Sequence, residues 1–254
     1  MCLILFSWKQ HPEYQLVLTA NRDEFYDRPT APAAFWKEHH NLLAGRDLKA
    51  GGTWIGMTKA GRFAALTNYR DPANIKENAP SRGQLTTDFL LSDQSPQDYL
   101  LAVAEKGGEY NGFNLLVSDN KELWYYSNYE REVRAIAPGT YGLSNHLINS
   151  DWPKVQNGKE MLAQQVESRD ILPESLFQLI NQKEIYPDEE LPQTGVSLEW
   201  ERALSAMHIV TEKYGTVSST VILTSKEGRV LFGERVFPTL YRQASDKLFE
   251  FTVS

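Results

Sequence analysis

The chain has 254 residues, with 26 Lys and Arg against 33 Asp and Glu, a net charge of −7. That balance argues against general nucleic-acid binding, which needs a basic face to neutralise phosphates, and against a polybasic membrane anchor. Hydrophobic residues at 41% separate it from disordered chains, and its single cysteine excludes an internal disulfide or a multi-cysteine zinc site. No apolar run approaches the length of a membrane span. The apolar start at residues 2–6 is broken at once by Ser7, Trp8, Lys9 and Gln10, and it lacks the basic flank of a signal peptide. The chain reads as a cytoplasmic protein whose residues 1–254 form one domain.

Residues 2–8 and 14–20 form an expected hairpin around His11-Pro12-Glu13. Asn21-Arg22-Asp23-Glu24 then leaves the second strand as a polar cluster, and residues 27–32 read as a loop. A second hairpin enters through Gly51-Gly52-Thr53-Trp54-Ile55-Gly56, turns at Lys59-Ala60-Gly61 and returns over residues 62–67. Helices follow over residues 83–91 and from the N-cap Ser95, with Pro96 in the first turn, to Gly107-Gly108. Residues 113–118, 123–127 and 133–137 read as a meander, and residues 141–144 as a strand ending at Asn145. Helical patterns cover residues 152–168 and 173–183, followed by an acidic, proline-rich loop at residues 186–197. The remainder returns to strands at residues 206–212, 218–224 and 229–237, the last two joined by Lys226-Glu227-Gly228. This order predicts an α+β fold with two antiparallel sheets packed on each other and helices outside, an αββα sandwich.

Cys2 leads the chemical candidates. A small second residue lets the initiator Met1 be removed, and a terminal cysteine carries its own base, since an α-amine has a pKa of about 7.7–8.0. The plainer reading is a cysteine that begins a buried strand. A hairpin returns residues 21–24 beside Cys2, where Arg22 and the carboxylates Asp23 and Glu24 can hold an amine, lower a thiol pKa or grip an acid; the alternative is a solvated turn. Asn68 and Asn145 end strands, where an amide serves either as an oxyanion donor or as a turn former.

Taken in order, these residues resemble the NRDE family, also called the transport and Golgi organization protein 2 family. The resemblance runs through Cys2, Asn21-Arg22-Asp23-Glu24, Arg28-Pro29, Gly45-Arg46-Asp47 and Gly51-Gly52-Thr53-Trp54-Ile55-Gly56. It continues in Leu66-Thr67-Asn68-Tyr69-Arg70, Ser81-Arg82-Gly83, Tyr110-Asn111-Gly112-Phe113-Asn114-Leu115, Gly142-Leu143-Ser144-Asn145 and Tyr214-Gly215-Thr216. It implies a four-layer αββα fold of the N-terminal-nucleophile hydrolase type, distantly similar to cysteine acylases. Carried over from those acylases, Cys2 matches the nucleophile, Asn68 and Asn145 the oxyanion and substrate-amide positions, and the flanking Arg and Asp fall within residues 21–24. The resemblance does not choose between Asp23 and Glu24. NRDE-like sequences tend to place an arginine after Tyr-Gly-Thr; Val217 stands there, with Arg202 and Lys213 the nearest cations in sequence.

The family is linked to haem movement and to lipid or acyl-CoA metabolism, so the first expectation is a cytosolic haem-trafficking protein with haem as cargo and no catalytic metal. Arg22, Arg46 and Arg70 would meet propionates, and Trp54, Phe25, Tyr26, Tyr69 and Trp152 would supply apolar walls. Asn21 and Glu24 join that ligand set, and axial candidates are Cys2, His39, His40, His146 and His208. His208 also reads as a core histidine, and His39-His40 as a solvated loop. The alternative is an amidohydrolase using Cys2 on a small amide or acyl compound. A third reading is a binding scaffold that has lost the chemistry.

Overall fold

A computed structural model describes residues 3–168 and 171–254; Cys2 lies outside the described residues. The strands are β1 (Leu3–Trp8), β2 (Tyr14–Phe25), β3 (Thr30–Phe35), β4 (Leu42–Asp47), β5 (Ile55–Thr58), β6 (Phe63–Asn68), β7 (Phe113–Ser118), β8 (Leu123–Ser127), β9 (Val133–Ala135), β10 (Gly139–Leu143), β11 (Tyr214–Ser225), β12 (Arg229–Val236) and β13 (Ser245–Thr252). The α-helices are α1 (Arg82–Leu91), α2 (Pro96–Lys106), α3 (Pro153–Glu167), α4 (Pro173–Ile180) and α5 (Leu198–Ser205). They group into two compact units. The first takes in the chain up to Asp27 and Pro138–Phe251, the second Arg28–Ala137 and Thr252–Ser254.

The first unit is built on a six-stranded sheet in the order β10-β1-β2-β11-β12-β13. Strand parity divides its residues between two faces. Leu3, Leu5, Val17, Val221 and Leu223 point to one face, where they form a core with Val155 and Leu162 of α3 and Leu176 and Ile180 of α4. Each fully buried side chain of this kind contributes roughly 1.5–3 kcal/mol. Ile4, Phe6, Leu18, Ile222 and Phe232 point to the other face and are buried as well. The β2–β11 ladder is interrupted once at this end: Asp23 lies opposite Thr216 but Arg22 opposite Ser218, leaving Val217 as a bulge.

The second unit carries a seven-stranded sheet in the order β3-β4-β5-β6-β7-β8-β9. Ala64, Leu66, Leu115 and Val117 face Phe89 of α1 and Leu100 and Val103 of α2. Several family-pattern residues act here as structure. Arg28 pairs with Asp47 at 2.8 Å, Arg82 donates to the Gly112 carbonyl at 2.8 Å, and Asn114 bridges Thr67 and the Tyr125 hydroxyl. Gly52 lies so close to α1 that a Cβ there would stand 2.6 Å from the Gly83 carbonyl, which explains the glycine. Ser95 caps α2 by accepting from the Asp98 amide, with Pro96 in the first turn, as its sequence predicts.

Several boundaries differ from the sequence reading. Residues 21–24 do not leave the second strand: β2 runs on through Phe25, so the polar tetrapeptide is part of the sheet. Residues 206–212 do not form a strand. The helix α5, capped by Ser197 accepting from the Trp200 amide, precedes them, and an irregular segment follows. The expected loop at residues 27–32 already enters β3, and β4 and β13 were not anticipated. Among the described residues no helix is long and apolar enough to cross a membrane.

Candidate functional site

The end of the first sheet where β1 begins concentrates buried polar side chains. Leu3, the residue after Cys2 in sequence, lies opposite Asn21. Asn21 is completely buried and points to the helix face. Its Nδ2 donates to the carbonyls of Ile180 at 2.9 Å and Met207 at 2.8 Å, and its Oδ1 accepts from Ser219 at 2.5 Å. Ile180 ends α4, so its carbonyl has no helical donor and Asn21 supplies one. Every hydrogen-bonding site that matters on this amide is therefore spent on the fold.

Asp23 points to the same face and accepts the Thr216 hydroxyl at 2.6 Å; that hydroxyl in turn accepts the Ile209 amide at 2.8 Å. Arg22 and Glu24 point to the opposite face and approach to 3.5 Å. Arg22 is 4% exposed and Asp23 3%. On the other side of β1, Leu143 of β10 pairs with Ile4, and Asn145 follows two residues later, also buried. His146 comes next, with its ring 5.7 Å from Trp152. Burial holds the His146 pKa below its ordinary 6.5, against an upward pull from Asp151. Phe25 is exposed and stacks edge-on against Tyr214 at 5.2 Å.

Arg46, Trp54, Asn68, Tyr69, Arg70, His39 and His40 belong to the second unit. Arg46 pairs with Glu38 and lies 4.3 Å over the Trp36 ring, so its charge is engaged on the sheet edge. Trp54 is buried with its indole against Gly45. Asn68 ends β6 opposite Phe113, and Arg70 is half-buried two residues further on. Tyr69 stacks on Tyr129 at 3.8 Å. His39 and His40 are exposed in the β3–β4 connection, as the loop reading has it.

Sequence reasoning missed two partners of residues 21–24, Thr216 and Ser219. The hydroxyl-rich run on β11, which is buried almost throughout, was a readable signal for both.

His208 sits on the irregular segment, buried against Phe237 at 4.6 Å, and its Nδ1 has no hydrogen-bond partner among the described residues. Burial and Lys183 hold its pKa below 6.5, while Asp23 pulls it upward. A base with a depressed folded pKa binds its proton first in the unfolded chain, so its stabilising contribution is complete above about 6.5 and falls as pH drops below that value. Urea midpoints between pH 7.5 and 5.5 will therefore decline in the wild type, and less steeply in His208→Gln; equal slopes would show that His208 is not a source of the decline.

The first-to-last path of this chain superposes on the conjugated bile acid hydrolase of Clostridium perfringens with a TM-score of 0.51, covering 100% of this chain and 97% of that one at 10% identity. At that identity the likeness shows the fold alone, α+β with two antiparallel sheets. The family profile described as Transport and Golgi organisation 2 matches residues 1–239. The chain is 40% identical to the Transport and Golgi organization protein 2 homolog of Bos taurus and 38% identical to that of Homo sapiens, each match covering 92% of both sequences. It is 28% identical to Transport and Golgi organization protein 2 of Drosophila melanogaster, over 94% of this chain and 93% of that one. The chain belongs to the Transport and Golgi organisation 2 family.

Proposed function

We propose that this chain is a cytoplasmic amidohydrolase that cleaves the C–N bond of a small amide with an apolar acyl part, using Cys2 after removal of Met1. The observation that carries this reading is the burial of Arg22 and Asp23 at the sheet end where β1 begins. Burying charged side chains is costly, so a buried Arg and Asp beside the start of β1 are candidates for a chemical task in addition to the Thr216 contact that Asp23 makes. A protein of the same fold is named as a hydrolase of conjugated bile acids, which adds support.

In this reading the Cys2 α-amine takes the thiol proton and the thiolate adds to the amide carbonyl. Asn145 donates to the resulting oxyanion. Collapse breaks the C–N bond, and the ammonium proton leaves with the amine. Water then adds to the thioester, releasing the carboxylic acid and restoring the thiol. Asp23 orients the amine, and Arg22 stabilises the thiolate.

Haem handling is the second reading. What favours it is His146, half-buried beside Trp152, whose pKa burial lowers; that favours the neutral imidazole, the form that ligates iron. One experiment addresses both. Untagged protein is checked for Met1 by intact mass, incubated with a panel of N-acyl amino acids and acyl amides, and titrated with haemin while the Soret band is followed. Amine release by the Met1-free protein that disappears in Cys2→Ala supports the hydrolase. A saturable Soret shift that His146→Ala weakens, with no amine released by Met1-free protein, replaces it with the carrier.

A further inference from the structure

The end of the first sheet at which β2 finishes and β11 begins holds large apolar side chains in water. Phe25 and Tyr214 are partners in the β2–β11 ladder, and their rings meet edge-on at 5.2 Å. Trp200 of α5 adds a third ring, edge-on to Tyr214 at 5.8 Å. Val210 joins them through its bridge to Gly215, the residue after Tyr214. β12 runs antiparallel to β11, and the Phe237 amide donates to the Val217 carbonyl at 3.0 Å, so the chain after Phe237 emerges at this same end. There Thr239 and Arg242 exchange backbone bonds at 3.0 and 3.3 Å, and the Tyr241 amide donates to the Thr239 hydroxyl at 3.1 Å. Leu240 and Tyr241 form the tip of that closed turn. Exposure is 97% for Leu240, 65% for Tyr241, 62% for Val210, 53% for Phe25 and 38% for Trp200.

Tight turns are ordinarily built from Gly, Asn, Asp or Pro, so a Leu-Tyr tip answers no need of the turn itself. Single exposed apolar residues need no account, but these converge on one end of a sheet and mark a docking surface. Leu240 projects from the surface instead of lining a groove, the shape that enters a bilayer interface. The charges choose the kind of bilayer. Asp27, Glu199 and Glu212, each exposed, stand within two residues of Phe25, Trp200 and Tyr214, and Lys213 is exposed among them. A net negative rim repels an anionic leaflet and, together with aromatic rings, attracts a quaternary ammonium. In a choline-headed bilayer that ammonium is outermost, the phosphate below it suits Lys213, and aromatic rings rest at headgroup depth. We infer that this end of the first sheet docks on a zwitterionic, choline-headed membrane surface, with Leu240 and Val210 entering the acyl boundary. The docking is peripheral and does not depend on Cys2 chemistry.

The full chain is floated with phosphatidylcholine vesicles and with phosphatidylglycerol vesicles, at low and high salt. Beside it run Leu240→Glu, Tyr241→Ser and the control Leu172→Glu, which charges a leucine 63% exposed just ahead of α4. The bonds that close the turn come from the backbone and Thr239, so both tip variants keep it, and thermal unfolding checks each fold. The wild type floats with phosphatidylcholine, is unmoved by salt and floats less with phosphatidylglycerol. Leu240→Glu lowers the partition coefficient about tenfold and Tyr241→Ser about threefold, while Leu172→Glu leaves it unchanged. A wild type that stays off phosphatidylcholine overturns the inference, as do stronger binding to phosphatidylglycerol or tip variants that bind like the wild type. Sedimentation of the lipid-free protein tests the other occupant. A dimer that Leu240→Glu splits assigns this end to a second copy of the chain and overturns the membrane. Flotation reads no turnover, so its failure leaves the amidohydrolase reading standing, and failure of that reading leaves the docking surface standing.

Discussion

Replacing Asn21 by leucine is expected to lower the unfolding free energy by about 4 kcal/mol, a large share of the stability of an ordinary domain. The substitution keeps the number and branching of side-chain heavy atoms but removes both donors and the acceptor. It strands the carbonyls of Ile180 and Met207 and the Ser219 hydroxyl in a place water does not reach. Each abandoned buried group costs roughly 1–3 kcal/mol, so three of them exceed any gain from the added apolar surface. Thr19→Val, which removes one bond to the Leu176 carbonyl in the same region, is expected to cost only about 1 kcal/mol. Urea unfolding of the two variants beside the wild type measures both. A loss for Asn21→Leu no larger than that for Thr19→Val would show that the amide is not the clamp between β2, α4 and the Met207 segment.

This result bears on how the family tetrapeptide is read. Four polar residues after an apolar strand look like a solvated turn, because the eye takes the end of hydrophobicity as the end of the strand. The strand continues because β11 runs on beside it as far as Tyr214, opposite Phe25, and Asn21 and Asp23 take partners 159 to 198 residues away in sequence. Alternation then divides the tetrapeptide by task. Asn21 and Asp23 reach the helix face and tie down the irregular segment, while Arg22 and Glu24 reach the opposite face. Helices that begin with a Ser-Pro pair or a Pro, and hairpins that turn at Gly61 or Gly228, were legible because the signal is local. Residues 206–212 were misread for the same reason. Ala206, Met207 and Ile209 are apolar in a strand-like run, yet what fixes them is not a ladder but Asn21, the Gln182 carbonyl bonded to the His208 amide, and Thr216.

Thr216→Val is expected to cost about 2–3 kcal/mol while leaving the shape of the side chain almost unchanged. The hydroxyl has two partners, donating to the Asp23 carboxylate at 2.6 Å and accepting from the Ile209 amide at 2.8 Å. Valine offers neither, so a buried carboxylate oxygen loses a donor and a buried N–H loses its acceptor; a hydrogen bond to a charged group is worth roughly 1.5–3 kcal/mol. Thr216→Ser keeps the hydroxyl and should recover most of the loss. The two variants also separate structure from chemistry. If Asp23 orients the Cys2 amine, Thr216→Val will lower kcat on a cleaved amide with little change in KM, at a temperature where the variant is fully folded, and serine will restore it. Wild-type stability in Thr216→Val would remove the hydroxyl from the account of the fold. A stability loss with unchanged kcat would leave Asp23 as a structural anchor and take it out of the proposed proton path.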